Sequence, residues 1–239
     1  VRREMSILGV IPARGGSKGI PRKNLADLCG RPLIQYTFEA ALGSRELDRV
    51  VLSTDDEEIA AFGRRCGVEA PFVRPGELAG DRTPMVPVLQ HAVQWLRREE
   101  GRTYDAVALL QPTSPLRRAS DVDDALRAFR EGDMDAIIGV CEPREHPYEM
   151  VIVGEKEAKF LIPHPPEKGL RQAFPTCYFV NGAVYALLTP VLLGQGTLFP
   201  ERTGIYIMDW LSSWEVDTPL DLKIAASLMS LRQSEGEAG

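Results

Sequence analysis

Short apolar runs alternate with amphipathic stretches along most of this chain. Continuous runs at 7–13, 49–53, 106–111 and 136–141, with a weaker one at 71–74, predict strands. Between them, apolar residues recur at helical spacing over 32–42, 57–66, 86–98 and 122–131, which predicts amphipathic helices. Pro32 suits a first helical turn, and Ser120 or Asp121 would cap the last of these helices. Strand–helix alternation of this kind predicts an α/β fold, a mostly parallel sheet with helices on both faces.

The pattern breaks at 142–178, a stretch rich in Pro, Glu, Lys and His with two weak strand signals at 150–153 and 158–162. It reads as an excursion from the sheet: a mobile lid, a dimerisation arm or an inert insertion. Loops this long inside a compact domain are seldom idle. Strand patterns resume at 178–187 and 204–208, and a helix is expected over 218–231. The expected organisation is one domain over 5–233 with 142–178 protruding, between a ragged start at 1–4 and a frayed tail at 234–239.

Composition narrows the class. A chain of 239 residues with 44% apolar and 26% charged residues can build a full core. A net charge of −6 argues against general nucleic-acid binding, which wants a basic face. Cys29, Cys66, Cys141 and Cys177 form no C-x-x-C pair, and the 3 histidines do not cluster with them. Neither a zinc site nor a disulfide framework is indicated, and reduced thiols fit a cytoplasmic protein. No apolar run approaches the ~20 residues of a membrane span, and no signal peptide is expected.

Against that acidic background the first strand empties into a glycine-rich loop holding Arg14, Lys18, Arg22 and Lys23. Glycines let backbone N–H groups approach a ligand closely, and the cations supply charge for a dense anion such as a triphosphate. The spacing is neither that of a Walker A loop nor of a dinucleotide fingerprint. A basic surface turn is the bland alternative, and its place after the first strand favours the ligand.

Other strand ends carry chemistry too. Asp55 lies at the carboxyl end of a strand, where doubly wound folds bind ligands, unless Ser53, Thr54 or Asp55 simply caps the next helix. Arg74 suits a phosphate or a base, and Asp81 a helix cap. In Gln111-Pro112-Thr113-Ser114-Pro115 two prolines hold a polar turn in a fixed path, fit for positioning a hydroxylated ligand. Asn181-Gly182 implies a turn, a bulge or close approach of a substrate, and Arg171 and Gln172 offer a cation and an amide for a carboxylate. Glu215 and Asp217 share one face of an extended backbone and can converge on a hard cation; Asp217 could instead cap the following helix. Beside a triphosphate loop, Mg²⁺ is the better account.

These segments, in this order, resemble the acylneuraminate cytidylyltransferase family, which includes bacterial CMP-nonulosonic acid synthetases. The matching pieces are 11–25, 52–55, 74–81, 110–117, 181–185 and 215–222, spread over nearly the whole chain. The resemblance implies a Rossmann-like nucleotidyltransferase fold, a homodimer with an excursion reaching its partner, a requirement for CTP and Mg²⁺, and a small acidic sugar as acceptor. Arg14, Gly15, Gly16, Ser17, Lys18, Lys23 and Asn24 match the triphosphate loop, and Arg74 and Thr83 fall on the nucleotide side. Gln111, Arg171, Asn181 and Tyr185 match positions near the sugar; Glu215 and Asp217 match the metal pair. Arg14, Lys18, Lys23 and Asp217 are the expected catalytic group.

Two departures stand out. Glu215 replaces an aspartate common in the metal pair, and Tyr148-Glu149 follows His146-Pro147 where sialate-type members often carry lysine. The acceptor is therefore open among related nine-carbon acids. An eight-carbon keto acid or a phosphonate, a different nucleotide with a sugar phosphate, or a non-catalytic binder are the alternatives.

Overall fold

The computed structural model describes residues 5–155, 157–163 and 174–236. Its first strand, β1 (Ile7–Pro12), is buried throughout. Ile7 and Ile11 join one core layer, Leu8 and Val10 the other. A strand apolar on both faces needs cover on both. Helices α1 (Leu33–Leu42), α2 (Glu57–Arg65) and α4 (Ala119–Glu131) supply one layer through Phe38, Ile59 and Phe129. Helices α3 (Met85–Glu100) and α5 (Thr189–Gly194) supply the other through Leu89, Leu96 and Leu192.

The remaining main strands are β4 (Arg49–Ser53), β5 (Ala106–Leu109), β6 (Ala136–Cys141), β9 (Phe179–Leu188) and β10 (Thr203–Ile207), in the order β10-β6-β9-β5-β1-β4. β1 runs parallel to β4 and β5, and β10 parallel to β6. β9 is antiparallel to both neighbours, with Tyr185 opposite Leu109 and Ile138. The α/β expectation holds with that one reversal: after the excursion the chain re-enters the sheet from its other end. The Asn181-Gly182 step proves to be a bulge, where the pairing shifts register between Ile138 and Val140 and Gly182 takes φ +68°.

The expected strand at 71–74 makes only a single bridge, Thr54 to Val73. Pro71 and Pro75 bracket it, and neither can donate to a ladder. α4 starts at Ala119, earlier than expected, because the Asp121 carboxylate accepts from the Arg118 N–H at 2.7 Å and closes the first turn. A small hairpin, β2 (Asp27–Leu28) and β3 (Arg31–Pro32), turns through Cys29 and Gly30 at φ 54° and 80°. Two consecutive positive φ values are the signature of a type I′ turn, and Cys-Gly is a weak sequence signal for it.

A third apolar cluster joins α6 (Pro219–Gly236) to this hairpin and α1 through Leu28, Leu33, Tyr36, Ala225 and Leu228. Val216 belongs to it and is fully buried, which pins the 215–217 segment across the carboxyl ends of β1 and β5. In the excursion, β7 (Val151–Val153) and β8 (Ala158–Phe160) form a separate antiparallel hairpin that leaves Ile152, Val153 and Phe160 exposed. Among the described residues no helix is long and apolar enough to cross a membrane.

Candidate active site

The loop after β1 is held in place by its own polar atoms. Gly15 donates its N–H to Asp55 at 3.1 Å, and Asn24 Nδ2 donates to the Arg14 carbonyl at 2.9 Å. Asp55 therefore braces the loop, and α2 is capped by Asp56 instead, whose carboxylate accepts from Glu58 and Ile59 N–H at 2.8 and 3.1 Å. At Gly19 a side chain would overlap the Asp217 carbonyl, so glycine is required where the loop meets the acidic segment.

The loop cations all have carboxylate partners. Arg14 and Lys18 both engage Asp81, Lys18 at 2.9 Å. These two bonds hold the Asp81 carboxyl below its usual range. Asp81 is thus a counterion for the loop, and the helix cap expected of it is not made: α3 begins after Pro84. Lys23 Nζ donates to the Val216 carbonyl at 3.1 Å and to Asp217 at 2.9 Å. Arg22 pairs with Glu58 at 2.8 Å on the surface.

Arg74 is 3% exposed and donates from Nε to Ser53 Oγ at 3.1 Å and from Nη2 to the Ser53 carbonyl. Burial, with the charge of Arg14 added, lowers its pKa to about 10 despite Asp55. Arg14, Ser17, Lys23, Asn24, Arg74 and Gln111 line one cavity of about 190 Å³ over the carboxyl ends of β1 and β5. Thr83 does not line it; its hydroxyl turns to the Glu77 carbonyl at 3.4 Å.

The proline-bounded turn joins this cavity to the acidic segment. Val216 N–H donates to the Thr113 carbonyl at 2.8 Å, and Thr113 Oγ1 lies 3.5 Å from both Gln111 Oε1 and Glu215 Oε1. Buried Arg117 clamps the turn from behind, Nη1 donating to the carbonyls of Gln111 and Ala183 at 3.2 and 2.6 Å. A side chain at Gly182 would overlap Glu215 Oε1, so the bulge exists where the Glu215 carboxyl needs room. Burial first, and the charge of Asp217 second, push that carboxyl up to about 7.

Glu215 and Asp217 line a separate cavity of about 380 Å³, bounded by Arg144, Met150, Phe179, Trp210 and Trp214, and reach the first one only through its lining residues Thr113 and Lys23. The pair links a cationic cavity to an aromatic one. Two carboxylates are hard oxygen donors, and a cation beside them would offset the burial and, second to it, the repulsion from Asp217 that raise Glu215. Among the described residues no group of three or more His, Cys, Asp or Glu could hold a metal. A cation here would complete its shell with phosphate oxygens and water, which fits Mg²⁺.

Two residues expected near the sugar line neither cavity. Asn181 is fully buried, donates to Ser213 Oγ at 2.8 Å and accepts from Ala183 N–H at 3.1 Å, so its amide is spent holding the bulge. Tyr185 is 8% exposed in the core under α3 and α5, edge-on to Phe199, and lines neither cavity. Arg171 lies outside the described residues. Arg144, Trp210 and Trp214 were not foreseen; the paired tryptophans four apart beside an acidic segment were the available signal. A larger cavity of about 480 Å³, between β3, α1 and α6, holds none of the candidate residues.

A family model described as Cytidylyltransferase matches residues 8–151. A pseudaminic acid cytidylyltransferase of Campylobacter jejuni is 33% identical over 225 residues, covering 94% of this chain and 96% of that one. A CMP-N,N'-diacetyllegionaminic acid synthase of the same species is 33% identical over 235 residues, covering 95% and 96%. A solved structure of CMP:2-keto-3-deoxy-manno-octonic acid synthetase complexed with CTP superposes with a TM-score of 0.69 at 21% identity, covering 95% of this chain and 99% of that one. At that identity the last likeness speaks for the fold alone.

Proposed function

The chain belongs to the cytidylyltransferase family, and from that premise we propose that it joins CTP to a nine-carbon α-keto acid sugar, releasing pyrophosphate. The observation that carries this reading is the place of Glu215 and Asp217, which line the aromatic cavity and contact Thr113 and Lys23 of the cationic one. Two substrates, one in each, would meet at that pair.

In this reading the triphosphate displaces Asp81 from Arg14 and Lys18 and is cradled by the loop's N–H groups and Lys23. Gln111, expected near the sugar, lines the same cavity as Arg74, and in this reading the two bound its nucleoside side. The anomeric hydroxyl of the acceptor attacks the α-phosphorus; the new O–P bond forms as the bond to pyrophosphate breaks, and the hydroxyl proton passes to water. Arg14, Lys18 and Lys23 neutralise the charge that gathers on the leaving group, and holding both substrates beside one acidic pair supplies the orientation. Glu215 and Asp217 would hold Mg²⁺, which when bound supplies charge neutralisation at the phosphates and a lowered pKa for a coordinated hydroxyl.

The acceptor cavity favours one substrate class. Trp210, Trp214, Met150 and Phe179 give it an apolar wall, which suits acylamido and methyl substituents better than a bare polyol tail. Relatives named for pseudaminic and diacetyllegionaminic acids agree with that preference. The exposed Ile152, Val153 and Phe160 of the β7–β8 hairpin support a homodimer in which a second copy covers that face.

The test is pyrophosphate release with Mg²⁺, crossing four nucleoside triphosphates with pseudaminic, N,N'-diacetyllegionaminic and N-acetylneuraminic acids. Release with CTP and a nine-carbon acid is expected. Release only with another triphosphate, or none with any pair, contradicts the reading.

A further inference from the structure

The second cavity poses an electrostatic problem for an anionic substrate. Its lining includes Glu142, Glu145, Glu215, Asp217 and Asp221. An α-keto acid sugar carries a carboxylate, and carboxylates at close quarters repel one another. Among the described residues only one cation lines this cavity, Arg144.

Arg144 is built in. It follows Pro143 just beyond the end of β6, and its guanidinium carbon lies 4.1 Å from the ring centre of Trp210 and 5.9 Å from that of Trp214. The two indoles pack edge to face at 5.2 Å, and Trp214 Nε1 donates to the Asp221 carbonyl at 3.1 Å. A guanidinium stacked on an indole keeps its in-plane N–H groups free while its rotamers are restricted. Among the described residues no carboxylate forms an ion pair with it, whereas Arg14, Lys18 and Lys23 of the loop after β1 are all paired.

We propose that Arg144, stacked on Trp210, binds the carboxylate of the acceptor and thereby orients its reacting hydroxyl toward the nucleotide. The proposal rests on the acceptor reading given above. In an α-keto acid sugar the carboxylate and the anomeric hydroxyl sit on one carbon. A planar fork that grips the first in a cavity bounded by Glu215 and Asp217 therefore fixes where the second lies. The surrounding carboxylates then act as a filter, since a sugar without an acidic group gains nothing from Arg144.

The experiment is steady-state kinetics on wild type, Arg144→Ala, Arg144→Lys and Trp210→Leu, with CTP and the three nine-carbon acids as probes. Loss of a charge-assisted bond of this kind corresponds to roughly 10- to 100-fold, so Arg144→Ala should raise the acceptor KM by about that factor while the KM for CTP stays within about twofold. Arg144→Lys should recover a minor part, and Trp210→Leu should fall between. A purely structural role would move both KM values or the melting temperature. An acceptor KM unchanged in an active Arg144→Ala enzyme overturns this proposal and leaves the reading of the function standing. No turnover by wild type with any of the acids overturns the reading beneath it, and this proposal with it.

Discussion

The two cavities linked through Glu215 and Asp217 are finished to different degrees. On the nucleotide side every cation already has a partner: Arg14 and Lys18 share Asp81, Lys23 holds Asp217, and Arg74 is locked on Ser53. A triphosphate entering there exchanges one set of anions for another, with little side-chain ordering left to do. On the acceptor side Arg144, Met150 and Phe179 are exposed, and the wall is drawn from strand ends, the excursion and the segment before α6. One half is braced by its own ion pairs; the other is left open.

The largest effect should come from the acidic pair that links the two. Asp217→Asn removes a charge that Lys23 holds from one side and that faces the acceptor from the other. Turnover should fall by at least ~100-fold, with circular dichroism and melting temperature nearly unchanged because the side chain is 69% exposed. Full activity in that variant would break the idea of a linking pair.

Gly182→Ala should act next, through packing. Its φ of +68° and the overlap with Glu215 force either strain or displacement of the carboxyl, a loss of about 1–3 kcal/mol measurable by denaturant unfolding. Activity should fall together with stability here, unlike in Asp217→Asn.

Asp81→Asn separates the halves. It frees Arg14 and Lys18 from their resting counterion, so the KM for CTP should drop several-fold while that for the acceptor does not move. An unchanged or raised CTP KM would mean that Asp81 does not compete with the triphosphate.

The smallest effect is a pH slope. Glu215 titrates near 7 in the fold, against an ordinary carboxyl in the unfolded chain. A carboxyl raised by folding gives stability that is full below about pH 4 and lost as pH climbs through about 7. The metal-free protein should therefore melt at falling temperatures from pH 5 to 8, and Glu215→Gln should flatten that trend.

How much of this was legible in the sequence follows the same division. The nucleotide loop is contiguous, so Arg14, Ser17, Lys23 and Asn24 could be named from one segment, and the structure brings all four to one cavity with Arg74 and Gln111. Strand–helix alternation is local, and it indicated the fold class. The reversal of β9 was hidden because an apolar run reads alike in either direction. Asn181 and Tyr185 pointed to the sugar, yet which face of a buried strand a residue occupies depends on the bulge beside it, and that is set by Glu215 far along the chain. Trp210 and Trp214 are four apart and offered a local signal, but Arg144 meets them only through the fold, so no spacing announces the trio.

The most direct test is whether both ligands occupy the protein at once. Pseudaminic acid would be titrated, following tryptophan fluorescence, into protein saturated with Mg²⁺ and a non-reactive α,β-methylene analogue of CTP. Two separate cavities linked through Glu215 and Asp217 predict a saturable change from Trp210 and Trp214, with acceptor affinity equal to or better than that of the nucleotide-free protein. Displacement of one ligand by the other would show that they compete for a single site, and would contradict the arrangement described here.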